Sequence, residues 1–322
     1  MHRGLLRQSK LELGFNPSVI PWPFRGDGTQ ARYVAVSRGQ NIQRSNGFCD
    51  NPHIQNGEPL LYKKSRRGHD ATLPKGHSII SVLDGAMEPL AHAKLLGRGE
   101  LAPCGLTDTR LLVVNGSLFA THATHGAAEC KPRRRGRGYT LGYRLSRVTV
   151  AYDGAQGTLT ASARLERHLT AGKNSAVWDS REVDFHQGWM WIDGKQALQL
   201  PSTLPHVNRL HGSGQPLPVG DELWFWTHFY PPRVKGSKYL YGSGYRQLIV
   251  VLNRRLEYLR ASSAFCLRTP CPDIEFVMNS LLIRRRGHSD RPQRLHVFAG
   301  IDDCEAIEFV FDLDAFTEAS FE

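Results

Sequence analysis

Tight turns set between brief apolar runs constrain this chain more than any other feature. Asn115-Gly116, Asp153-Gly154, Asp193-Gly194 and Gly220-Asp221 punctuate the sequence. Such dipeptides accept the left-handed backbone of two-residue hairpin turns. Around them lie Tyr33-Val34-Ala35-Val36, Leu111-Leu112-Val113-Val114, Leu118-Phe119-Ala120 and Leu223-Trp224-Phe225-Trp226. Further runs are Leu248-Ile249-Val250-Val251-Leu252, Leu281-Leu282-Ile283 and Ile307-Glu308-Phe309-Val310-Phe311. Helical periodicity is scarce. Short strands at this density predict an all-β sandwich, barrel or propeller.

One internal echo favours a propeller. Val114-Asn-Gly-Ser-Leu118-Phe-Ala-Thr121-His122 resembles Val219-Gly-Asp-Glu-Leu223-Trp-Phe-Trp-Thr227-His228, allowing one inserted residue. Both read strand, turn, strand, then Thr-His. Repeated hairpins ending on one polar pair fit blades that aim inner strands at a common axis. We expect a single domain over residues 1–322, with blades near 10–60, 78–128, 139–200, 205–260 and 265–315. Two polar stretches, 40–77 and 126–139, read as long loops, which in compact domains often carry function.

Composition narrows the class. At 322 residues and 40% hydrophobic content, no window approaches an uncharged membrane span. Charges run through the N-terminal fifteen residues, where a signal peptide would be apolar, so a cytoplasmic protein is expected. Six cysteines at 49, 104, 130, 266, 271 and 304 match no common zinc spacing, and reduced thiols are expected. No metal site is expected. The formal net charge of +11 favours anionic partners: nucleic acid, phosphate or phosphorylated sugar. The basic runs Arg133–Arg137 and Arg284–Arg286 lack the interleaved aromatics of single-strand binding, so exposed loops are the plainer reading. Gly242-Ser243-Gly244-Tyr245 lacks the third glycine and following helix of a dinucleotide fingerprint.

Several polar residues stand at the ends of the apolar runs, where a propeller channel would gather them. They are Asn16, Arg38, Asp108, Arg110, Lys173, Asn174, His228, Arg246 and Asp303. Each alone has a structural explanation, as a turn residue, a satisfied core histidine or a surface ion pair.

Their order carries more. Phe15-Asn16-Pro17-Ser18 followed by Tyr33-Val-Ala-Val-Ser-Arg38 resembles the opening blade of glycoside hydrolase family 130. Gly105-Leu106-Thr107-Asp108-Thr109-Arg110 is similar to that family's Glu-Asp-Pro-Arg segment, and Lys173-Asn174 to its Lys-Asn element. Gly212-Ser213-Gly214 through Thr227-His228, then Tyr245-Arg246, resemble the next strands. Ile274-Glu275-Phe276 with Phe298 to Asp303 resembles the last blade. The elements keep the family's order from residue 14 to about 313. Thr107 stands where the family usually has glutamate and Thr109 where it has proline. Those departures point toward glycosyltransferase family 108, whose β-1,2-mannosyltransferases and phosphorylases share the fold.

The resemblance implies a five-bladed β-propeller that transfers β-mannosyl groups with inversion. Phosphate would attack the anomeric carbon of a terminal β-mannoside and release α-mannose 1-phosphate. A water-using inverting enzyme needs two carboxyls, one of them a base. Phosphate is already anionic, so one acid suffices. Asp108 is the implied acid, acting through a sugar hydroxyl. Arg38, Lys173, His228 and Arg246 would cradle phosphate, arginine by bidentate bonds and lysine as a point charge. Asn16, Arg110, Asn174 and Asp303 would meet sugar hydroxyls. Inorganic phosphate would be the co-substrate, with no further cofactor. In reverse, mannose 1-phosphate or GDP-mannose would be the donor and Asp108 the base. Trp224 and Trp226 are expected in the core rather than on a sugar. Two alternatives stay open on the same fold: a plain β-mannoside hydrolase and a non-catalytic binder of glycan or RNA.

Overall fold

A computed structural model describes residues 4–24, 30–38, 43–44, 47–48, 77–126, 143–169, 174–231, 244–272, 274–283, 293–302 and 305–321. The chain forms two compact units. The first comprises Met1–Lys10, Leu169–Asp302 and Ile307–Glu322; the second comprises Leu11–His168 and Asp303–Ala306. The all-β expectation holds in both.

β1 (Leu5–Lys10) belongs to the first unit. The second unit opens with β2 (Phe15–Pro21) and β3 (Tyr33–Arg38). The short pair β4 (Gln43–Arg44) and β5 (Gly47–Phe48) follows. Next come β6 (Ser78–Leu83), β7 (Pro89–Arg98), β8 (Cys104–Val114), β9 (Ser117–Gly126), β10 (Tyr143–Asp153) and β11 (Thr158–His168). Eight of these strands join in the order β2-β3-β6-β7-β11-β10-β9-β8. The sheet is two antiparallel four-strand meanders joined by one parallel pairing, β7 with β11. Its core gathers Val34, Val36, Ile80, Leu106, Leu111, Leu118, Val148 and Val150.

The first unit continues with β12 (Ala176–Trp178), β13 (Arg181–His186), β14 (Trp189–Ile192) and β15 (Lys195–Gln199), one meander. A second sheet holds β16 (His211–Gly212), β17 (Leu217–Val219), β18 (Glu222–Phe229), β19 (Arg246–Asn253) and β20 (Tyr258–Ala261). A third holds β21 (Glu275–Ile283), β22 (Arg294–Ile301) and β23 (Glu305–Asp312), with β1 added at the edge of β23. Helix α1 (Leu313–Phe321) closes the chain, and the Oδ1 of Asp312 caps it by accepting the Ala315 N–H at 3.0 Å.

The apolar run Leu248–Leu252 has no alternation because β19 is buried on both faces. Ile249 and Val251 face a core shared with Trp224, Trp226, Phe309 and Phe311. Leu248, Val250 and Leu252 face another, with Leu223, Phe225 and Phe185. Trp224 and Trp226 are therefore core residues, 1% and 0% exposed. Phe316 of α1 packs its ring 6.3 Å from Trp224 and 6.1 Å from Trp226.

Three expectations change. The expected grouping of strands changes: β6 pairs with β3 and β7 with β6, not with β8, so residues 78–98 belong with the opening strands. β10 and β11 complete the β8–β9 hairpin, and only residues 176–199 form the next meander. The apolar runs were visible but which runs pair was not. Asn115-Gly116 and Asp193-Gly194 do make two-residue turns, with φ of 48° and 73°, and 48° and 76°. Asp153-Gly154 does not; a longer loop to Thr158 forms because Asp153 Oδ1 accepts the N–H groups of Ala155 and Gln156. The cysteines are not all reduced: Cys266 and Cys271 form a disulfide with a Cα–Cα distance of 5.6 Å, and Cys104 is also disulfide-bonded. A five-residue separation across a turn brought the first pair within reach. Most of the expected loops 40–77 and 126–139 lie outside the described residues. Among the described residues no helix is long and apolar enough to cross a membrane.

Candidate active site

In the second unit two strands break register at the residues singled out in sequence. The β2–β3 pairing shifts between Phe15 and Ser18, leaving Asn16 in the left-handed region at φ 53°. The β8–β9 pairing shifts between Thr107 and Arg110, leaving Asp108 at φ 50°. Such bulges re-aim a side chain that a regular strand would send elsewhere. Asparagine and aspartate tolerate this backbone better than bulkier residues. The two bulged strands are tied together: Ser18 Oγ accepts the Leu111 N–H at 3.0 Å. Ser78 pins the second bulge, with its Oγ 2.7 Å from Thr109 Oγ1 and donating to Leu106 O at 3.0 Å.

Arg38 meets Asp108 there, Nη1 to Oδ1 at 3.3 Å. Its guanidinium lies over the Phe15 ring, 5.4 Å from the centroid. Gly14 makes room, since a Cβ there would stand 2.3 Å from Arg38 O. Arg110 is wholly buried, donates to the Tyr143 hydroxyl and lies 5.6 Å from that ring's centroid. The same hydroxyl donates to Asp108 O at 3.2 Å. Asn16 is 7% exposed and its Oδ1 has no hydrogen-bond partner; the Oγ1 of buried Thr107 has none either. Buried acceptors without donors are rare and call for an explanation.

Sequence reading missed Arg144. It follows Tyr143 on β10, is 6% exposed, and its Nε and Nη1 lack hydrogen-bond partners. Burial holds its guanidinium below the usual value, and the charge of Glu100 partly offsets this. Opposite Arg144 on β9 stands His122. Burial pushes that imidazole down to about 4; a bond to Ala123 O opposes the shift and Arg144 adds to it. His122 is thus neutral at pH 7, with Nε2 2.7 Å from Ser146 Oγ. The missed signal was phase: Arg144 alternates in step with Ser146, Val148 and Val150, a cation on the apolar side of a strand.

In the first unit Asn174, His228 and Arg246 come together around β16 and β18. Asn174 adopts φ 81° and its carbonyl backs onto Gly212, where a Cβ would approach to 2.7 Å. His228 Nδ1 lies 2.8 Å from Ser213 Oγ. Its ring stacks on Tyr245 at 5.1 Å and meets the edge of Phe276 at 4.9 Å. Arg246 donates from Nη1 to Tyr245 O and to Cys266 Sγ, each at 3.2 Å. Lys173 and Asp303 lie outside the described residues. Glu275, quoted in sequence without a role, is fully buried behind this group, and burial pushes its carboxyl up to about 7.

No family model matches the chain, and no curated protein does. Solved structures do. A β-1,2-mannobiose phosphorylase from Listeria innocua aligns with a TM-score of 0.54 at 10% identity, over 97% of this chain and 92% of that one. A glycoside hydrolase, so described provisionally, from Parabacteroides distasonis gives 0.51 at 10% identity, over 96% and 93%. A hypothetical protein from Leishmania major gives 0.50 at 12% identity, over 96% and 90%. At these identities the likeness speaks to fold. This chain has the fold of the Listeria β-1,2-mannobiose phosphorylase along nearly its whole length, in keeping with the resemblance read between Asn16 and Asp303.

Proposed function

We propose that the chain is an enzyme of β-mannosyl transfer with inversion, making or phosphorolysing β-mannosides, with β-1,2-linked oligosaccharides as substrates. We read the two meanders of the eight-stranded sheet and the three sheets of the first unit each as a blade, which would give the five-bladed propeller expected from sequence. The observation that carries the reading is Asp108: a carboxylate set on a left-handed bulge, nearly buried, 3.3 Å from Arg38. A carboxyl held in a sparsely populated backbone conformation at a strand bulge is positioned to move a single proton.

Asp108 would pass its proton through a sugar hydroxyl to the leaving oxygen. Asn16, with its unpartnered acceptor, would take a hydrogen bond from substrate. Arg38 and Arg144 would hold the attacking phosphate, and the buried guanidinium of Arg144 would gain the anion it lacks. Arg110, locked to Tyr143 beneath Asp108, is read as a brace rather than a sugar contact. In the first unit His228 and Arg246, with Lys173, are read as anion-binding and Asn174, with Asp303, as sugar-binding. In synthesis the same carboxylate removes the acceptor's proton, and the donor is α-mannose 1-phosphate or GDP-mannose. Inorganic phosphate is co-substrate.

Purified protein is incubated with mannose and α-mannose 1-phosphate, or with mannose and GDP-mannose. β-Mannobiose with release of phosphate or GDP is expected from one donor. No product from either donor, with mannose or a short β-mannan as acceptor, would sink the proposal.

A further inference from the structure

Cys266 and Cys271 close a small loop in the first unit. Several contacts tie that loop to the start of β19. Arg246 Nη1 donates to Cys266 Sγ at 3.2 Å. Next to it Gln247 and Phe265 exchange both backbone bonds, at 2.8 and 3.0 Å. Gly244 lies against Pro272 so closely that a Cβ would stand 2.3 Å from Pro272 O. From below, Glu275 grips the loop: Oε1 accepts the Leu267 N–H at 2.9 Å and Oε2 the Arg268 N–H at 3.0 Å. Gln247 Nε2 donates to Glu275 O at 2.6 Å. A buried carboxyl is thus satisfied by two amides whose convergence depends on a cross-linked turn.

We propose that the Cys266–Cys271 disulfide and Glu275 form a redox-controlled seat for Arg246, so that opening the disulfide weakens the hold of Arg246 on a bound phosphate. This rests on the reading of Arg246 as an anion-binding residue. A dithiol reductant supplies two electrons and two protons. The S–S bond breaks, each sulfur becomes a thiol, and the reductant closes its own disulfide. Without the cross-link the loop regains conformational freedom, and the amides of Leu267 and Arg268 cease to converge. Glu275 then keeps a buried carboxyl with fewer donors, which favours further opening. Cys266 Sγ, now a thiol on a freer loop, no longer holds a set place beside the Arg246 guanidinium.

The test uses the full chain, oxidised and dithiol-reduced, and the double variant C266S/C271S. The variant is needed because Cys104 is also disulfide-bonded. Hydrogen exchange at the Leu267 and Arg268 amides is expected to quicken by about tenfold or more in both open forms. The Kd for inorganic phosphate, by calorimetric titration, is expected to rise severalfold in both. In Arg246→Ala phosphate should bind weakly and no longer respond to reduction. Unchanged exchange at both amides in reduced protein and double variant overturns the seat. Phosphate affinity that falls in Arg246→Ala yet ignores reduction overturns the control. If Arg246→Ala leaves phosphate affinity intact, the anion role of Arg246 is wrong instead, and exchange alone decides the seat.

Discussion

The two Thr-His pairs share one sequence pattern and end in different chemistry. His122 and His228 both lie on the second strand of a hairpin, both are nearly buried, and both have a ring nitrogen within 2.8 Å of a serine hydroxyl. Their neighbours differ. His122 faces a guanidinium, Arg144, across the strand. His228 is sandwiched among rings, Tyr245, Phe276 and His211. A repeat therefore preserves the frame, while the residues that flank it choose the charge. The second unit sets a buried cation, Arg144, beside its histidine. The first surrounds its histidine with aromatics, and places its charge behind, at Glu275 and Arg246.

The largest expected effect breaks the second unit's side of that contrast. Asp108→Asn should lower kcat by about 10² to 10⁴, the usual worth of a general acid, with an unchanged melting temperature. Assaying mannobiose synthesis by the variant checks it; full activity would remove Asp108 from the mechanism.

The buried titrating groups sharpen the contrast through opposite pH slopes. Stability rises with pH wherever the unfolded chain binds more protons. His122, lowered from 6.5 to about 4, binds fewer protons when folded, so stability is lost as pH falls from 6.5 through 4. Glu275, raised from 4.5 to about 7, binds more when folded, so stability is lost as pH rises from 4.5 through 7. At 1.36 kcal/mol per unit, each is worth about 3 kcal/mol at its limit. Over the shared window they offset one another. Denaturant titrations at stepped pH should show His122→Gln flattening the acid loss and Glu275→Gln flattening the loss toward pH 7. Parallel profiles for wild type and both variants would contradict the assignment.

Arg144→Met comes next. Removing a buried guanidinium with unsatisfied donors should raise stability by about 1–3 kcal/mol in phosphate-free buffer. The gain should shrink as phosphate is added, since phosphate stabilises only the wild type at this residue. Thermal melts across a phosphate series read both effects. Smallest is Arg147→Ala. Its ion pair with Glu166, at 2.9 Å, joins two exposed side chains, so the change should stay within about 0.5 kcal/mol.

Much of the frame was legible because turns and apolar runs are local. The hairpin turn at Asn115-Gly116 and the buried tryptophans of β18 both sit on short-range signals. Strand pairing is not local. Nothing in Ser78–Leu83 says that it pairs with Tyr33–Arg38 and not with the runs that follow, and the expected grouping of strands failed there. Arg144 was hidden by a different cause: a charge in phase with valines looks like noise until the strand's two faces are known. Helix α1 was short, and its Asp312 cap was the one local sign of it.

The parting of β1 from its partner has a bearing on how the chain is made. β1 pairs with β23, so the first unit takes material from both extremes of the sequence, while the second runs almost unbroken from Leu11 to His168. During synthesis the second unit has nearly all its strands by residue 168. The first must wait for residues 305–312 before the sheet of β1, β21, β22 and β23 is complete. Closing so long a loop makes that step slow. The β21–β22 edge and the aromatic core under α1 are therefore the surfaces that a nascent chain leaves uncovered longest, and where a chaperone would have most to do.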